Sequence, residues 1–119
     1  LEKTFTQADF DAFAALSGDD NPIHVDPDFS ARTRFGRTVA HGALLCSVLR
    51  GLVEEIVPGG RQIRQSTMYP APSPAGEALR FQAETTGETA DRITIALTVT
   101  RLADGEVTCR GETEVAPCR

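Results

Sequence analysis

The segment that most restricts the fold is residues 42–57, GALLCSVLRGLVEEIV, which is apolar around most of a helical circumference. Its polar side chains Ser47, Arg50 and Glu54 fall at i, i+3 and i+7 and form one polar stripe. Pro58 and the two glycines after it end the predicted helix. Such a helix needs a partner that wraps around it, because flat packing on one side leaves apolar surface in water.

The second half of the chain supplies such a partner, since its hydrophobic period changes from helical to alternating. Apolar and polar residues alternate in residues 79–85, 93–100 and 106–115, as in strands with one buried face. The connections are short, and the Asp104-Gly105 pair is a strong hairpin signal. Residues 61–69 are predicted to form a further strand, which ends at a proline-rich stretch.

These patterns predict an α+β hot dog fold, in which a curved antiparallel sheet wraps around a long central helix. The length of 119 residues suits one domain that spans residues 1–119 and leaves no room for a second. An edge strand and part of the helix stay uncovered in such a unit. We therefore expect a homodimer that continues the sheet.

Composition argues against several classes of protein. A net charge of −5 and an aromatic content of 6% do not suit a nucleic-acid-binding domain, which needs basic stripes and stacking aromatics. No window approaches the ~20 apolar residues that span a bilayer, and no apolar run with a cleavage signature opens the sequence. The three cysteines, Cys46, Cys109 and Cys118, are an odd number, which favours a reduced, cytoplasmic chain.

The N-terminal part of the chain begins with a predicted helix. Thr6 and Asp9 have the spacing of a capping-box variant, and Gly18 is a natural C-cap. The following stretch, SGDDNPIHVDPDFS, has two prolines, four aspartates and no sustained period. It is predicted to be an ordered loop.

This loop and the start of the long helix carry the residues suited to chemistry. Asp19 and His24 lie five positions apart in a proline-stiffened loop, where they can form an acid–base pair. Gly42 places a backbone amide at a helix N-terminus, where free N–H groups and the helix dipole favour an oxyanion. Together they could add water to, or remove it from, a carbon next to an activated carbonyl.

The same residues resemble a known family. The motif GD-x-NP-x-H within SGDDNPIHVDP, together with AHG at the start of a buried helix, resembles the MaoC-like dehydratases and (R)-specific enoyl-CoA hydratases, over residues 5–115. The resemblance implies a hot dog dimer that reversibly hydrates 2-enoyl thioesters of coenzyme A or acyl carrier protein, with no metal or redox cofactor. It implies that Asp19 and His24 are the catalytic pair, that Asn21 orders the loop, and that the Gly42 amide donates to the thioester carbonyl.

Two positions depart from that family pattern. Thr38 stands where close relatives often have proline, and we expect it to loosen the approach to the oxyanion site. Arg50 stands where relatives acting on plain acyl chains tend to carry a small or apolar residue. With Ser47 and Glu54 it predicts a polar wall and a short, polar or anionic acyl group. The alternative is that Arg50 only pairs with Glu54 at i, i+4.

Further candidates surround the loop. Arg32, Arg34 and Arg37 could bind the phosphates of coenzyme A or a phosphopantetheine arm, or dock an acidic carrier protein, although a solvated loop explains them equally well. His41 is a candidate ligand contact, against the favoured alternative that it packs or hydrogen-bonds at the helix start.

Other kinds of site fit the sequence less well. The aspartates of the loop lack the glycine and glutamate that a calcium-binding EF-hand loop needs, and no paired Cys or His spacing indicates zinc. A serine hydrolase elbow is absent, and Cys46 is expected in the core. Two rival functions remain open: a thioesterase on the same fold, and a non-catalytic module that binds acyl thioesters.

Overall fold

The central helix of the protein lies against a five-stranded antiparallel sheet in a computed structural model that describes residues 1–118. This is the α+β hot dog arrangement that the hydrophobic pattern predicts. The elements, in chain order, are β1 (Glu2–Thr4), α1 (Gln7–Ser17), α2 (Pro22–Val25), α3 (Pro27–Ala31), α4 (Gly42–Ile56), β2 (Arg61–Met68), β3 (Ala78–Glu88), β4 (Ile93–Arg101) and β5 (Val107–Ala116).

The strands are ordered β1-β3-β4-β5-β2, and every neighbouring pair is antiparallel. The four long strands are those predicted from alternation, whereas β1, only three residues long, carries no sequence signal. Register shifts interrupt three of the four strand pairs, and such irregularities bend a strand. β2 pairs only with β5 among the described strands and leaves its other edge open.

α4 packs on the sheet through one side. Leu45, Leu49 and Val53, four residues apart, are buried against the inward side chains of β3, β4 and β5. Ala43, Ser47 and Gly51 lie on the opposite side of the helix and are exposed. The sheet of one chain therefore covers only part of the helix. This agrees with the prediction that part of the helix stays uncovered.

The N-terminal segment confirms one prediction and corrects another. Thr6 and Asp9 form the capping box of α1, and Gly18 ends the helix with a φ of 83°. The stretch predicted to be a loop instead contains the short helices α2 and α3. Asn21 and Asp26 cap them, and each has a proline in its first turn, so caps and prolines start helices too short to show a period.

No helix in the part of the chain that the structure describes is long and apolar enough to cross a bilayer.

Candidate active site

His24 is carried by α2, and the local sequence determines how it is held. The Asn21 side chain accepts a hydrogen bond from the Ile23 amide at 3.1 Å, and the Asp19 carboxylate accepts one from the Asn21 amide at 3.4 Å. These contacts, with Pro22 at the start of α2, turn the His24 side chain into the protein, where it is buried. Asn21 is thus placed to order the loop.

The hydrogen bonds of His24 define its tautomer. Its Nδ1 lies 2.7 Å from the Val39 carbonyl oxygen, and a carbonyl can only accept, so Nδ1 carries the proton in the neutral ring. Nε2 then carries the free lone pair, and the Asp19 Oδ2 lies 3.9 Å from it. That separation is too long for a direct hydrogen bond, but one oxygen atom can lie within ~2.8 Å of both groups.

His41, the N-cap residue of α4, supports this pair from behind. Its ring stacks on His24 with centroids 3.8 Å apart, and Phe13 meets its other side at 4.9 Å. Its Nε2 lies 2.9 Å from the Asp19 carbonyl oxygen, so His41 fixes the Asp19 backbone and the His24 ring. His41 is 1% exposed, which places it behind His24 and not on a ligand-accessible wall.

The Asp19, His24 and His41 ligand atoms lie within 4.8 Å of one another, which is close enough to suggest a metal site. A histidine binds a metal through a lone pair in its ring plane, and these two rings are stacked with planes only 23° apart. Lone pairs that lie in two nearly parallel, stacked planes do not converge on one ion, and each ring already uses one nitrogen in a hydrogen bond to a carbonyl. The geometry favours an acid–base pair over a metal centre.

A cavity of about 650 Å³ opens beside His24 and Gly42, both of which lie on its wall. Gly42 is the first residue of α4, so its N–H has no acceptor within the helix. Tyr69 packs directly on this glycine: a Cβ at position 42 would stand 2.6 Å from the Tyr69 Cζ. The other apolar wall residues are Ile23, Phe35, Val39, Ala40, Leu45, Pro70, Ala71, Pro72 and Pro74.

The predicted polar wall around Arg50 is not part of this cavity. Arg50 Nη1 lies 3.4 Å from Glu54 Oε2, as the alternative prediction held, and the Ser47 hydroxyl donates to the Leu44 carbonyl oxygen at 2.7 Å. Neither residue lines the cavity of its own chain. The prediction was wrong within one chain because the helix turns this stripe away from the sheet, on the side that carries the exposed Ser47.

The three predicted phosphate-binding arginines differ in their surroundings. Arg34 lines the cavity and lies over the Phe35 ring, with its guanidinium carbon 5.0 Å from the centroid. Arg37 pairs with Glu77, and Arg32 is exposed away from the cavity wall. Of the three, only Arg34 combines an exposed cation with the cavity.

Thr38 tightens the site instead of loosening it. Its hydroxyl, in a residue that is 2% exposed, donates to the Gln7 side-chain carbonyl at 2.7 Å. The Gln7 amide group in turn donates to the His24 carbonyl oxygen at 2.9 Å. A hydroxyl can make this link to α1, and a proline in its place could not.

Sequence reasoning missed Gln7, Tyr69 and Arg101, which have no local motif. Arg101 donates to the Pro72 carbonyl oxygen at 2.9 Å and so holds the proline-rich cavity wall. Its guanidinium also lowers the pKa of the Asp104 carboxyl that it contacts. In the sequence, only the change from an alternating pattern to prolines after residue 69 indicated that the segment after β2 is not a regular strand.

A sheet packed on one long helix, with an Asp–His pair beside a free helix N-terminal amide, defines a hot dog domain equipped for acid–base chemistry on a carbonyl compound. The family model described as "MaoC like domain" matches residues 1–107. The chain belongs to the MaoC-like family, as its motif predicted.

Individual relatives agree with this assignment. The chain is 39% identical to an (R)-specific enoyl-CoA hydratase of Aeromonas caviae over 107 residues, which cover 88% of this chain and 80% of the relative. It is 31% identical to a 3-hydroxybutyryl-CoA dehydratase of Methylorubrum extorquens, covering 94% of this chain and 73% of the relative. The solved structure of the A. caviae (R)-hydratase superposes with a TM-score of 0.91 at 34% identity, over 99% of this chain and 92% of that one.

Proposed function

We propose that this protein reversibly hydrates trans-2-enoyl thioesters to (R)-3-hydroxyacyl thioesters, as an enoyl-CoA hydratase or 3-hydroxyacyl thioester dehydratase. The observation that carries the proposal is the His24 Nε2, unprotonated in the neutral ring, beside Asp19 and on the same cavity wall as the Gly42 amide. Relatives named as hydratases and dehydratases of such thioesters support it.

In the hydration direction, the thioester carbonyl oxygen accepts a hydrogen bond from the Gly42 N–H at the positive end of α4. This contact stabilises the negative charge that builds up on that oxygen when a nucleophile attacks C3. The acyl group lies in the apolar cavity. Its size and lining suit a small ligand with few polar groups, so we propose a short, apolar acyl chain.

Asp19 and His24 each accept a hydrogen bond from the attacking water. The Asp19 carboxylate accepts a hydrogen bond from one O–H, and His24 Nε2 accepts from the other, which directs the oxygen toward C3. Asp19 takes one proton from this water as the water oxygen bonds to C3. That proton passes to His24 Nε2, which delivers it to C2 as the enolate-like intermediate collapses. The sum is water added across the double bond, with both side chains returned to their starting states.

The thioester carrier is proposed from charge. Arg34 places a cation at the cavity, where the phosphates of coenzyme A or of a phosphopantetheine arm could bind, and Arg32 and Arg37 lie in the same exposed segment. The chemistry proposed needs no metal and no redox cofactor, because the reaction is a proton transfer and an addition.

We further propose a cytoplasmic homodimer. The open edge of β2 and the exposed Ala43, Ser47 and Gly51 of α4 form one incompletely covered surface. A second copy would cover it by continuing the sheet, and the mass in solution measured by light scattering tests this. A mass of one chain would contradict the dimer without affecting the hydratase proposal.

The function is tested with crotonyl-CoA, by following the loss of enoyl-thioester absorbance together with thiol release. We expect absorbance loss without free thiol, and a decrease of ~10²–10⁴-fold in rate for Asp19→Asn and for His24→Ala. Thiol release would identify a thioesterase instead. Binding without turnover would identify a non-catalytic module, and either result would refute the proposal.

A further inference from the structure

Tyr69 follows β2 and reaches back to the N-terminus of α4, where its side chain lies against Gly42. A Cβ at position 42 would stand 2.6 Å from the Tyr69 Cζ and 2.8 Å from the hydroxyl oxygen. Gly42 does not have a positive φ, so its backbone conformation does not require a glycine. The close approach of Tyr69 does require one, because the tyrosine fills the space of the missing side chain.

This packing brings the Tyr69 hydroxyl near the Gly42 N–H. A Cβ stands ~2.5 Å from the nitrogen of its own residue, so the hydroxyl oxygen and the Gly42 nitrogen are at most about 5.3 Å apart. No hydrogen bond joins the two groups, and the Gly42 N–H has no acceptor within residues 1–118. Two donors that each lie ~2.9 Å from one acceptor can be up to about 5.8 Å apart. A single carbonyl oxygen can therefore accept from both.

The Tyr69 hydroxyl has a proton that it can turn toward a ligand. Its oxygen lies 3.1 Å from the sulfur of Cys46, which was expected in the core but is partly exposed. The Gln65 side-chain nitrogen lies 3.5 Å from the same sulfur, so Cys46 keeps a second partner when the Tyr69 O–H rotates about its Cζ–O bond. Burial, and then the hydrogen bond to Cys46, raises the pKa of Tyr69 to about 12, and the hydroxyl stays protonated at neutral pH.

We propose that Tyr69 is a catalytic residue whose hydroxyl donates a second hydrogen bond to the thioester carbonyl oxygen, beside the Gly42 N–H. This inference rests on the proposed hydration, in which that oxygen becomes enolate-like as water adds to C3. A second donor stabilises the developing charge, and so binds the transition state more tightly than the substrate. Tyr69 and Gly42 already lie on the same cavity wall as His24. Tyr69 keeps its proton throughout, so the balance of the reaction is unchanged.

Tyr69→Phe tests the donor, because it keeps the ring over Gly42 and removes only the hydroxyl. We expect kcat for crotonyl-CoA hydration to fall by ~10²-fold with KM nearly unchanged, as for the loss of one oxyanion donor. Cys46→Ala is the matched control, since it removes the same contact between hydroxyl and sulfur but leaves the hydroxyl in place. Its kcat should stay close to that of the native protein.

Two kinetic outcomes would overturn the proposal. A native kcat in Tyr69→Phe would show that the hydroxyl does not act on the carbonyl. Equal kcat losses in Tyr69→Phe and Cys46→Ala would show that Tyr69 acts only through its contact with Cys46, as packing.

Infrared difference spectra of crotonyl-CoA, isotope-labelled at its carbonyl carbon, detect the donors without turnover. They are recorded in Asp19→Asn, in which hydration is slow. We expect the carbonyl band to lie at a lower wavenumber than in solution and to move partway back when Tyr69→Phe is added, but not when Cys46→Ala is added. A band that Tyr69→Phe does not move would refute the second donor.

The spectra also separate this inference from the proposed function. If the native protein binds crotonyl-CoA but does not hydrate it, the proposed function fails, and the carbonyl band still decides whether Tyr69 donates to the thioester. If no band of bound thioester is found, both the substrate class and the role of Tyr69 are refuted.

Discussion

Thr38→Val tests whether a buried hydroxyl supports His24, the proposed acid–base histidine, through α1. Valine keeps the shape of threonine but cannot donate to Gln7, so the 2.7 Å hydrogen bond is lost and the Gln7 carbonyl is left without that donor. A neutral hydrogen bond contributes about 0.5–1.5 kcal/mol, and an unsatisfied, partly buried acceptor adds to the loss. We expect the free energy of unfolding to fall by about 1–2 kcal/mol.

The effect on catalysis should be smaller than the effect of removing His24, because Nδ1 keeps its bond to the Val39 carbonyl. Thr38 is a positioning residue, and we expect a kcat decrease below ~10-fold with KM nearly unchanged, far less than the loss of an acid–base group. The assays are urea unfolding and hydration of crotonyl-CoA.

Thr98→Val is the matched control, since the Thr98 hydroxyl, on β4, makes no hydrogen bond within residues 1–118. A double-mutant cycle with Gln7→Ala should give a coupling of about 1 kcal/mol between positions 7 and 38. Equal stability losses in the two valine variants, or no coupling, would refute the support that we assign to Thr38.

Three further predictions concern the cavity and Cys46. Gly42→Ala should lower kcat/KM by about 10²-fold, because the new methyl group displaces Tyr69 next to the amide donor, whereas Gly87→Ala, with no contact closer than 3.8 Å, should not. Retained activity in Gly42→Ala would count against that site. Arg34→Ala should raise KM for crotonyl-CoA and leave kcat unchanged, since the contact proposed for this arginine is with the carrier and not with the reacting carbons; an unchanged KM would contradict this. Alkylation of Cys46 by iodoacetamide, followed on its own peptide, should rise as the pH increases through about 6 and level off above it, because hydrogen bonding by Cys109, Tyr69, Thr67 and Gln65 outweighs burial and lowers the pKa of the Cys46 thiol to about 6; a midpoint near ~8.5, usual for a free cysteine, would show that these groups do not stabilise the thiolate.

The sequence predicts those helices and strands in which one hydrophobic period continues over many residues. α4 and the strands β2 to β5 are long enough for their helical or alternating pattern to be seen, and the capping box of α1 is local. β1, α2 and α3 have three to five residues each, which is too short for a period. Their structure depends on caps, on prolines and, for β1, on pairing with a strand some 75 residues away.

The residues of the site also differ in whether the sequence predicts them. Asp19, His24 and Gly42 were predicted because their motif is contiguous or starts a helix. Tyr69 reaches Gly42 only because the chain folds back from β2, and nothing in the sequence relates positions 42 and 69. The prediction for Arg50 failed for a different reason. Its position along α4 was predicted correctly, but which side of the helix faces the cavity depends on the whole sheet.

The two segments that carry the proposed acid–base pair depend on each other through two carbonyl groups. Val39, just before α4, accepts from His24 Nδ1 and thereby leaves Nε2 free to act as a base. Asp19, in the loop before α2, presents its backbone carbonyl to His41 Nε2, so its side chain lies next to the stacked histidine rings. Each segment thus orients the residue that the other contributes. Neither the loop nor the start of α4 could arrange the acid–base pair alone, and this mutual dependence is a physical reason for the two segments to occur together in one chain.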